Sequence, residues 1–283
     1  MLLFQIVMSI SSMVLQNCLF NNICKKEMRT NNHIYLFNMI VYTVCICIFG
    51  VSIINSKVSN YTVILGLLFG LVTALSNLYK MLALSVGPMH ITLLITTSSM
   101  IIPTMSGVFF GESFSIEKLI LVFILIGFIY LTLDRTENIN ANKKWIIFCV
   151  FAFVFQGSIG VLQKIHQASM HKAEANGFLF VAFICSLIYS RIMAKKSFNE
   201  LKFTKKHIII AIVCGICTYG MNFLNLKLSG LIPSQLFFPL VNGSAIVLSS
   251  LMSVVLFKEK LSKKQLIGLC GGILSLIGIC IVK

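Results

Sequence analysis

The sequence predicts an all-α integral membrane protein in which ten transmembrane helices form two inverted repeats of five helices each. Three observations support this fold class. Apolar residues make up 58% of the 283 residues and charged residues only 11%, so too little polar surface is available to cover a water-soluble globule. The apolar residues form ten runs of membrane-spanning length, and a polar pattern within the third run returns in the eighth.

The ten runs follow one another with only short polar gaps between them. A hydrocarbon core of about 30 Å requires roughly 20 apolar residues per helix, and each run is close to that length. A strand of a membrane barrel would alternate apolar and polar residues, whereas LILVFILIGFIYLTL at 119–133 is apolar on every side. Helices are therefore favoured, and no gap is long enough for a soluble domain. In order, the runs cover approximately 2–20, 34–54, 61–85, 91–110, 116–133, 145–163, 177–194, 207–228, 234–257 and 265–282.

The basic residues indicate orientation rather than a nucleic-acid partner. The formal net charge is +15, but the basic residues lie in short loops between the runs and no nucleic-acid motif accompanies them. Sixteen of them fall in the odd-numbered loops, and six fall in the even-numbered loops and at the C-terminus. The positive-inside rule then places the odd-numbered loops in the cytoplasm and both termini outside. The six residues of the smaller group are Lys57, Lys118, Lys164, Lys172, Lys227 and Lys283.

The chain contains an internal repeat. GLVTALSNLYKMLALSVGP at 70–88 matches GICTYGMNFLNLKLSGLIP at 215–233 at four positions with an offset of 145. With an offset of 147, VLQ at 14–16 returns at 161–163, and FGESFS at 110–115 is echoed by FKEKLS at 257–262. Because five is an odd number of crossings, the second copy enters the membrane from the opposite side. Residues 1–137 and 138–283 are thus predicted to be inverted repeats, which in transporters meet near the bilayer midplane and expose a site alternately to the two sides. The matched pairs are Gly70 with Gly215, Thr73 with Thr218, Asn77 with Asn222, and Pro88 with Pro233.

Each half also carries a glutamate after its fourth run and a serine that opens its fifth. With ten runs in a 5+5 arrangement, this pattern resembles the EamA-like family of the drug/metabolite transporter (DMT) superfamily over essentially the whole chain. The resemblance implies transport of a small metabolite, such as an amino acid, a sugar, a nucleotide derivative or an organic cation. It also implies cytoplasmic termini, opposite to the charge count, so the orientation is left open. The residues that carry the resemblance are Glu112, Ser115, Glu259, Ser262, Gln265 and Gly268.

Polar side chains form a stripe along the third run and again along the eighth. At about 100° per residue, Thr73, Asn77 and Lys80 fall within an arc of about 80°. The second copy keeps this spacing but has asparagine where the first has lysine. Such stripes also serve helix packing, and that alternative stays open. The predicted substrate-binding residues are Lys80, Asn77, Thr73, Asn222, Asn225, Thr218, Gln16, Gln163, Gln156 and Asn242.

The distribution of charge narrows the predicted mechanism. All eight acidic residues lie in loops or at the ends of runs, whereas proton-coupled export of cationic drugs generally needs a carboxylate within the membrane. A cavity lined by amides, hydroxyls and one lysine suits a neutral, zwitterionic or anionic metabolite. The sequence therefore predicts a secondary-type transporter, either a facilitator or an exchanger. The alternatives are an organic-cation or multidrug efflux transporter and, outside transport, a membrane receptor or scaffold.

Enzymatic activity and a bound cofactor are not expected. The chain has no HExxH, no paired aspartates and no GxSxG, the motifs of common hydrolases. Cys214 and Cys217 form a CxxC without a second pair or a nearby histidine, which favours packing over a metal site. The expected partners are the small-molecule metabolite and the lipid bilayer, with assembly as a homodimer left open. The expected location is a bacterial plasma membrane, as a multi-pass protein.

Overall fold

The computed structural model describes residues 1–24, 31–54, 58–86, 89–132, 143–194, 204–257 and 263–282. Regular secondary structure in this part of the chain is helical, without strands, which confirms the all-α prediction. The predicted repeat boundary at residue 137 lies outside the described residues, as do Pro88, Glu259 and Ser262. The α-helices are α1 (Leu2–Cys24), α2 (Asn31–Ile53), α3 (Asn60–Val86), α4 (Met89–Ser98), α5 (Ile101–Ser106), α6 (Ile116–Thr132), α7 (Lys143–Ala168), α8 (Ala175–Met193), α9 (Lys205–Ser229), α10 (Ser234–Phe238), α11 (Ser244–Phe257) and α12 (Lys263–Ile281).

Each of the ten apolar runs coincides with a helix or with a series of short helices. Seven helices in the described residues are long and apolar enough to cross a membrane. They are α1, α2, α3, α7, α8, α9 and α12, extended at α8 by the preceding turn. The other three runs correspond to α6, which has 17 residues, and to two interrupted helices. The chain is therefore an integral, multi-pass membrane protein.

Both interrupted helices contain a proline, and the interruptions follow from its missing N–H group. Between α4 and α5, Pro103 cannot donate to the carbonyl of Ser99, and that oxygen instead accepts from the N–H of Ile102 at 3.0 Å. Between α10 and α11, Pro239 begins a single turn of π-helix, Pro239–Gly243. The Asn242 amide donates to the carbonyl of Phe238 at 3.0 Å. The chain around Pro239 thus forms a wider turn than an α-helix.

The helices pack across the two halves of the sequence rather than within them. In the first bundle, α7 lies along α3 and contacts α4 and α5. In the second bundle, α1 lies along α9 and contacts α11, while α10 contacts α9. Helices α2 and α8 pack on each other, and α6 packs on α12. In addition, α2 packs on α9, and α8 packs on α3. The pairings of these long helices are unchanged when α1, α2, α3 and α6 are exchanged with α7, α8, α9 and α12, respectively. An inverted repeat would require this symmetry.

The two glycines of the polar stripes lie at helix contacts. A Cβ atom at Gly70 would overlap the carbonyl of Ala182 and lie 2.8 Å from the Cβ of Cys185 on α8. A Cβ atom at Gly215 would lie 2.7 Å from the Cβ of Val44 on α2. Small residues permit this close approach of helices in membranes. Packing therefore accounts for Gly70 and Gly215.

Candidate substrate-binding cavity

A cavity of about 180 Å³ lies between the two bundles. The first bundle lines it through α3, α4, α5 and α7, and the second through α1, α9, α10 and α11, with the π-turn and α2 contributing further residues. All ten residues that the sequence predicts to bind substrate line this one cavity: Gln16, Thr73, Asn77, Lys80, Gln156, Gln163, Thr218, Asn222, Asn225 and Asn242. Their contact with a substrate stays a prediction.

The cavity has further polar residues that the site prediction does not include. Asn17 follows Gln16 on α1, and Asn38 on α2 is buried. Thr96, Thr97 and Ser99 line the cavity beside the break between α4 and α5. A signal for Asn38 was available, because an amide within the apolar run 34–54 is uncommon in a membrane helix. Its direction could also have been read, because Tyr35 and Tyr42 lie at helical spacing from it on α2.

On the second bundle, the polar residues largely bond to one another. The Gln16 Nε2 atom donates to the Thr218 hydroxyl at 2.7 Å, and that hydroxyl donates to the carbonyl of Cys214 at 2.8 Å. The Asn222 amide donates to the carbonyl of Thr218 at 2.9 Å. The Asn225 side-chain oxygen accepts from the Ser9 hydroxyl. This side of the cavity is therefore a connected polar network that holds α1 against α9.

On the first bundle, one buried hydroxyl of the cavity wall is left without a partner among the described residues. The Asn77 amide donates to the Tyr42 hydroxyl at 2.9 Å, and the Gln156 side-chain oxygen accepts from Ser76 at 2.8 Å. The hydroxyl oxygen of Thr73 is buried, with no hydrogen-bond partner among the described residues. Buried polar groups in native proteins are mostly hydrogen-bonded, so this hydroxyl is an exception that requires an explanation.

The cavity has one basic residue. Among the described residues that line it, Lys80 is the only lysine or arginine, and none has a carboxylate. The described residues also contain no group of three histidine, cysteine or acidic side chains able to hold a metal ion. Because a charge interacts more strongly in a low-dielectric interior than in water, Lys80 dominates the electrostatics of this space.

An ion pair lies beyond the cavity at the end of the molecule where α7 and α9 end. Lys164 on α7 pairs with Glu112, and its ammonium donates to the carbonyl of Ser229 at 2.8 Å. Glu112 accepts from the N–H of Ser234 at 2.6 Å. The ion pair therefore joins the first bundle to the α9–α10 turn of the second. The prediction that Lys164 lies in a loop is wrong, because α7 continues to Ala168 and buries this side chain.

A second contact at the same end reinforces this connection. The side-chain oxygen of Gln235 accepts from the N–H of Ser115 at 2.9 Å, and its amide donates to the carbonyl of Ser115 at 3.3 Å. Gly111 has a φ of 73°, a conformation that glycine adopts without strain. Glu112 follows it directly. With the ion pair, these contacts form what we call the latch, made by Glu112, Ser115, Lys164, Ser229, Ser234 and Gln235.

Comparison with known proteins gives one family and one fold. Residues 143–281 match the EamA-like transporter family. No curated protein sequence matches the chain. A protein of known crystal structure is similar over 99% of both chains, with a TM-score of 0.74 and 14% sequence identity. At that identity the similarity concerns the fold alone.

Proposed function

We propose that this chain, whose residues 143–281 match the EamA-like transporter family, is a facilitator or exchanger for a small polar, zwitterionic or anionic metabolite. One observation carries the proposal. The ten polar residues that the sequence selects converge on a single cavity, which contains one cation and no carboxylate among its described lining residues. Convergence on a concave, mixed polar and apolar space is typical of a small-molecule site.

The charge of the cavity favours a substrate with a negative group. A lysine near the centre of a membrane helix costs about 2.5–3.5 kcal/mol on insertion scales, and a carboxylate or phosphate on the ligand offsets part of that cost. The side-chain amide of Asn77 supplies a neutral hydrogen-bonding group beside it. A zwitterion or an anion therefore fits this chemistry better than a simple cation.

The size of the cavity favours a small metabolite over a drug-sized molecule. Sites for drug-sized ligands usually enclose about 300–1,000 Å³, whereas this cavity has about 180 Å³. The expected substrate is therefore smaller than a drug-sized molecule. Multidrug binding would require the two bundles to separate further.

The proposed mechanism is alternating access between the two bundles. Ten spans in two inverted repeats would place equivalent helices on opposite sides of the cavity, and the exchange-symmetric packing of α1 on α9 and α3 on α7 supports this arrangement. The latch joins the bundles at one end. Substrate passage at that end would require Lys164 to leave Ser229 and Glu112 to leave Ser234.

A second candidate function is efflux of organic cations. Phe37, Phe237 and Phe238 line the cavity, and aromatic faces attract quaternary ammonium groups. Tight binding of tetraethylammonium that strengthens as the pH rises would favour this function over the first. Binding of small anions with no response to tetraethylammonium would exclude it.

Replacing Lys80 with methionine is expected to reduce uptake of the substrate into proteoliposomes by about 10- to 100-fold, the value of one charge-assisted hydrogen bond. The substrate is first identified by a thermal-shift screen, since a ligand that binds the folded state raises its melting temperature. Lys80→Arg keeps the charge and is expected to retain part of the uptake.

Lys227 provides the matched control for this experiment. It lies on α9 with its ammonium 4.2 Å from the centre of the Phe223 ring, and it does not line the cavity. Lys227→Met is expected to leave uptake unchanged. Equal uptake by Lys80→Met and Lys227→Met would contradict the assignment of Lys80 to the site.

A further inference from the structure

The repeat places the same pair of residue types on both sides of the cavity. Thr73 and Thr218 are 145 positions apart, and Gln16 and Gln163 are 147 positions apart. On the second bundle the two side chains are hydrogen-bonded, because Gln16 donates to Thr218 at 2.7 Å. On the first bundle the equivalent bond is not made, because the Thr73 hydroxyl has no partner in the described part of the chain. Two sites equivalent in sequence therefore differ in their hydrogen bonding.

Burial makes this difference chemically significant. Thr73 is 6% exposed and Gln163 is 4% exposed, and both line the cavity. Of the two, the Thr73 hydroxyl is the group that is fully buried without a hydrogen-bond partner among the described residues. A buried hydroxyl without a partner is costly, whereas a ligand in the cavity that bonds to it and to the Gln163 amide would remove that cost.

We propose that Thr73 and Gln163 bind the substrate and that their counterparts Thr218 and Gln16 are structural, so the cavity has one ligand-binding side. This inference rests on the proposed transport of a small metabolite. A threonine hydroxyl and a glutamine amide each donate and accept, so the pair suits a hydroxyl or an amine on the ligand. Lys80 lies on the same side of the cavity, on α3.

The spacing along α3 limits the length of the ligand. Lys80 lies seven positions after Thr73, which is about 10 Å along a helix at 1.5 Å per residue. Helical side chains lean toward the N-terminus, so the long lysine side chain shortens this gap from the Lys80 end. A chain of about three or four carbon atoms spans what remains, given this rise and tilt. The predicted substrate is a small carboxylate with a hydroxyl or amine, such as a hydroxy acid or an amino acid.

The test uses the full chain in detergent and three probes: L-lactate, L-serine and propionate. Lactate and serine carry a second polar group, whereas propionate carries the carboxylate alone. We expect Thr73→Val to weaken binding of lactate or serine by about tenfold, as for one lost hydrogen bond, and to leave propionate binding unchanged. Gln163→Leu is expected to have the same selectivity, and it replaces Thr73→Val if that variant does not fold.

Thr218→Val is the matched control and has the opposite expectation. Without ligand it is expected to lower the melting temperature, because Gln16 loses its acceptor, whereas Thr73→Val leaves that temperature unchanged or raises it. Equal destabilisation by the two valine variants would overturn the inference, as would an unchanged affinity of Thr73→Val for lactate and serine.

Failure of this inference is separable from failure of the proposed function. A wild-type protein that binds none of the three probes contradicts the ligand class named above. Flux of another metabolite in proteoliposomes would then still support transport. If the wild-type protein binds lactate and the Thr73→Val and Thr218→Val variants lose that binding equally, the proposal of a one-sided site is contradicted.

Discussion

Replacing Lys164 with methionine lowers the free energy of unfolding by about 3–5 kcal/mol, the usual cost of removing one partner from a buried ion pair. The variant leaves the Glu112 carboxylate without its counter-charge, in a position where its side chain is 16% exposed. It also removes the bond from Lys164 to the carbonyl of Ser229. Unfolding in mixed micelles of increasing SDS content, followed by circular dichroism, measures the change.

Two further variants identify the ion pair as the cause. Lys227→Met removes a lysine from the neighbouring α9 and is expected to change the stability by about 1 kcal/mol or less, since only one cation–π contact is lost. The double variant Lys164→Met, Glu112→Gln is expected to recover much of the loss, because neither charge is then left alone. A double variant less stable than Lys164→Met alone would show that the pairing of charges is not the source of the effect.

Replacing Gly70 with alanine lowers the free energy of unfolding by about 3 kcal/mol, at the upper end of the cost of overpacking a core. The added Cβ atom would overlap the carbonyl of Ala182, so α3 and α8 have to move apart. The same movement would stretch the 2.7 Å bond from the Ser186 hydroxyl to the carbonyl of Gly70. The same micelle titration measures this change.

Gly127 on α6 gives a control with the same substitution. A Cβ atom there meets no heavy atom within 4 Å. Gly127→Ala is therefore expected to raise the stability by up to about 1 kcal/mol, the difference in helix propensity between the two residues. Equal effects of the two alanines would mean that the close contact at Gly70 does not limit packing.

The polar stripe on α3 illustrates what periodicity predicts well. Thr73, Asn77 and Lys80 recur at helical spacing within an apolar run, so their common direction follows from helix geometry alone. The repeat then predicts that Thr218, Asn222 and Asn225 share a face of another helix. The structure brings both faces to one cavity. The same reasoning missed Asn38, although Tyr35 and Tyr42 lie at helical spacing from it on α2.

Lys164 shows where sequence reasoning fails. Its position near the end of an apolar run allowed either a loop or a last helical turn, and local sequence does not separate the two. What buries it is Glu112, 52 positions earlier in the chain, together with the α9–α10 turn. A contact between distant segments has no local signal, so the latch could not be predicted.

The composition, the ten apolar runs and the period of their polar residues determine that this is a helical membrane protein with a polar face on α3 and on α9. These features depend on local geometry and on transfer to lipid, and neighbouring residues alone specify both. Which helices meet, and which polar groups are left to a ligand, is decided by packing across the two halves. Gln16 donates a hydrogen bond to Thr218, whereas the Thr73 hydroxyl has no partner in the described chain. The repeat nevertheless has a threonine and a glutamine at both pairs of equivalent positions. That difference arises because hydrogen bonds between helices depend on side-chain positions that only the assembled bundle defines.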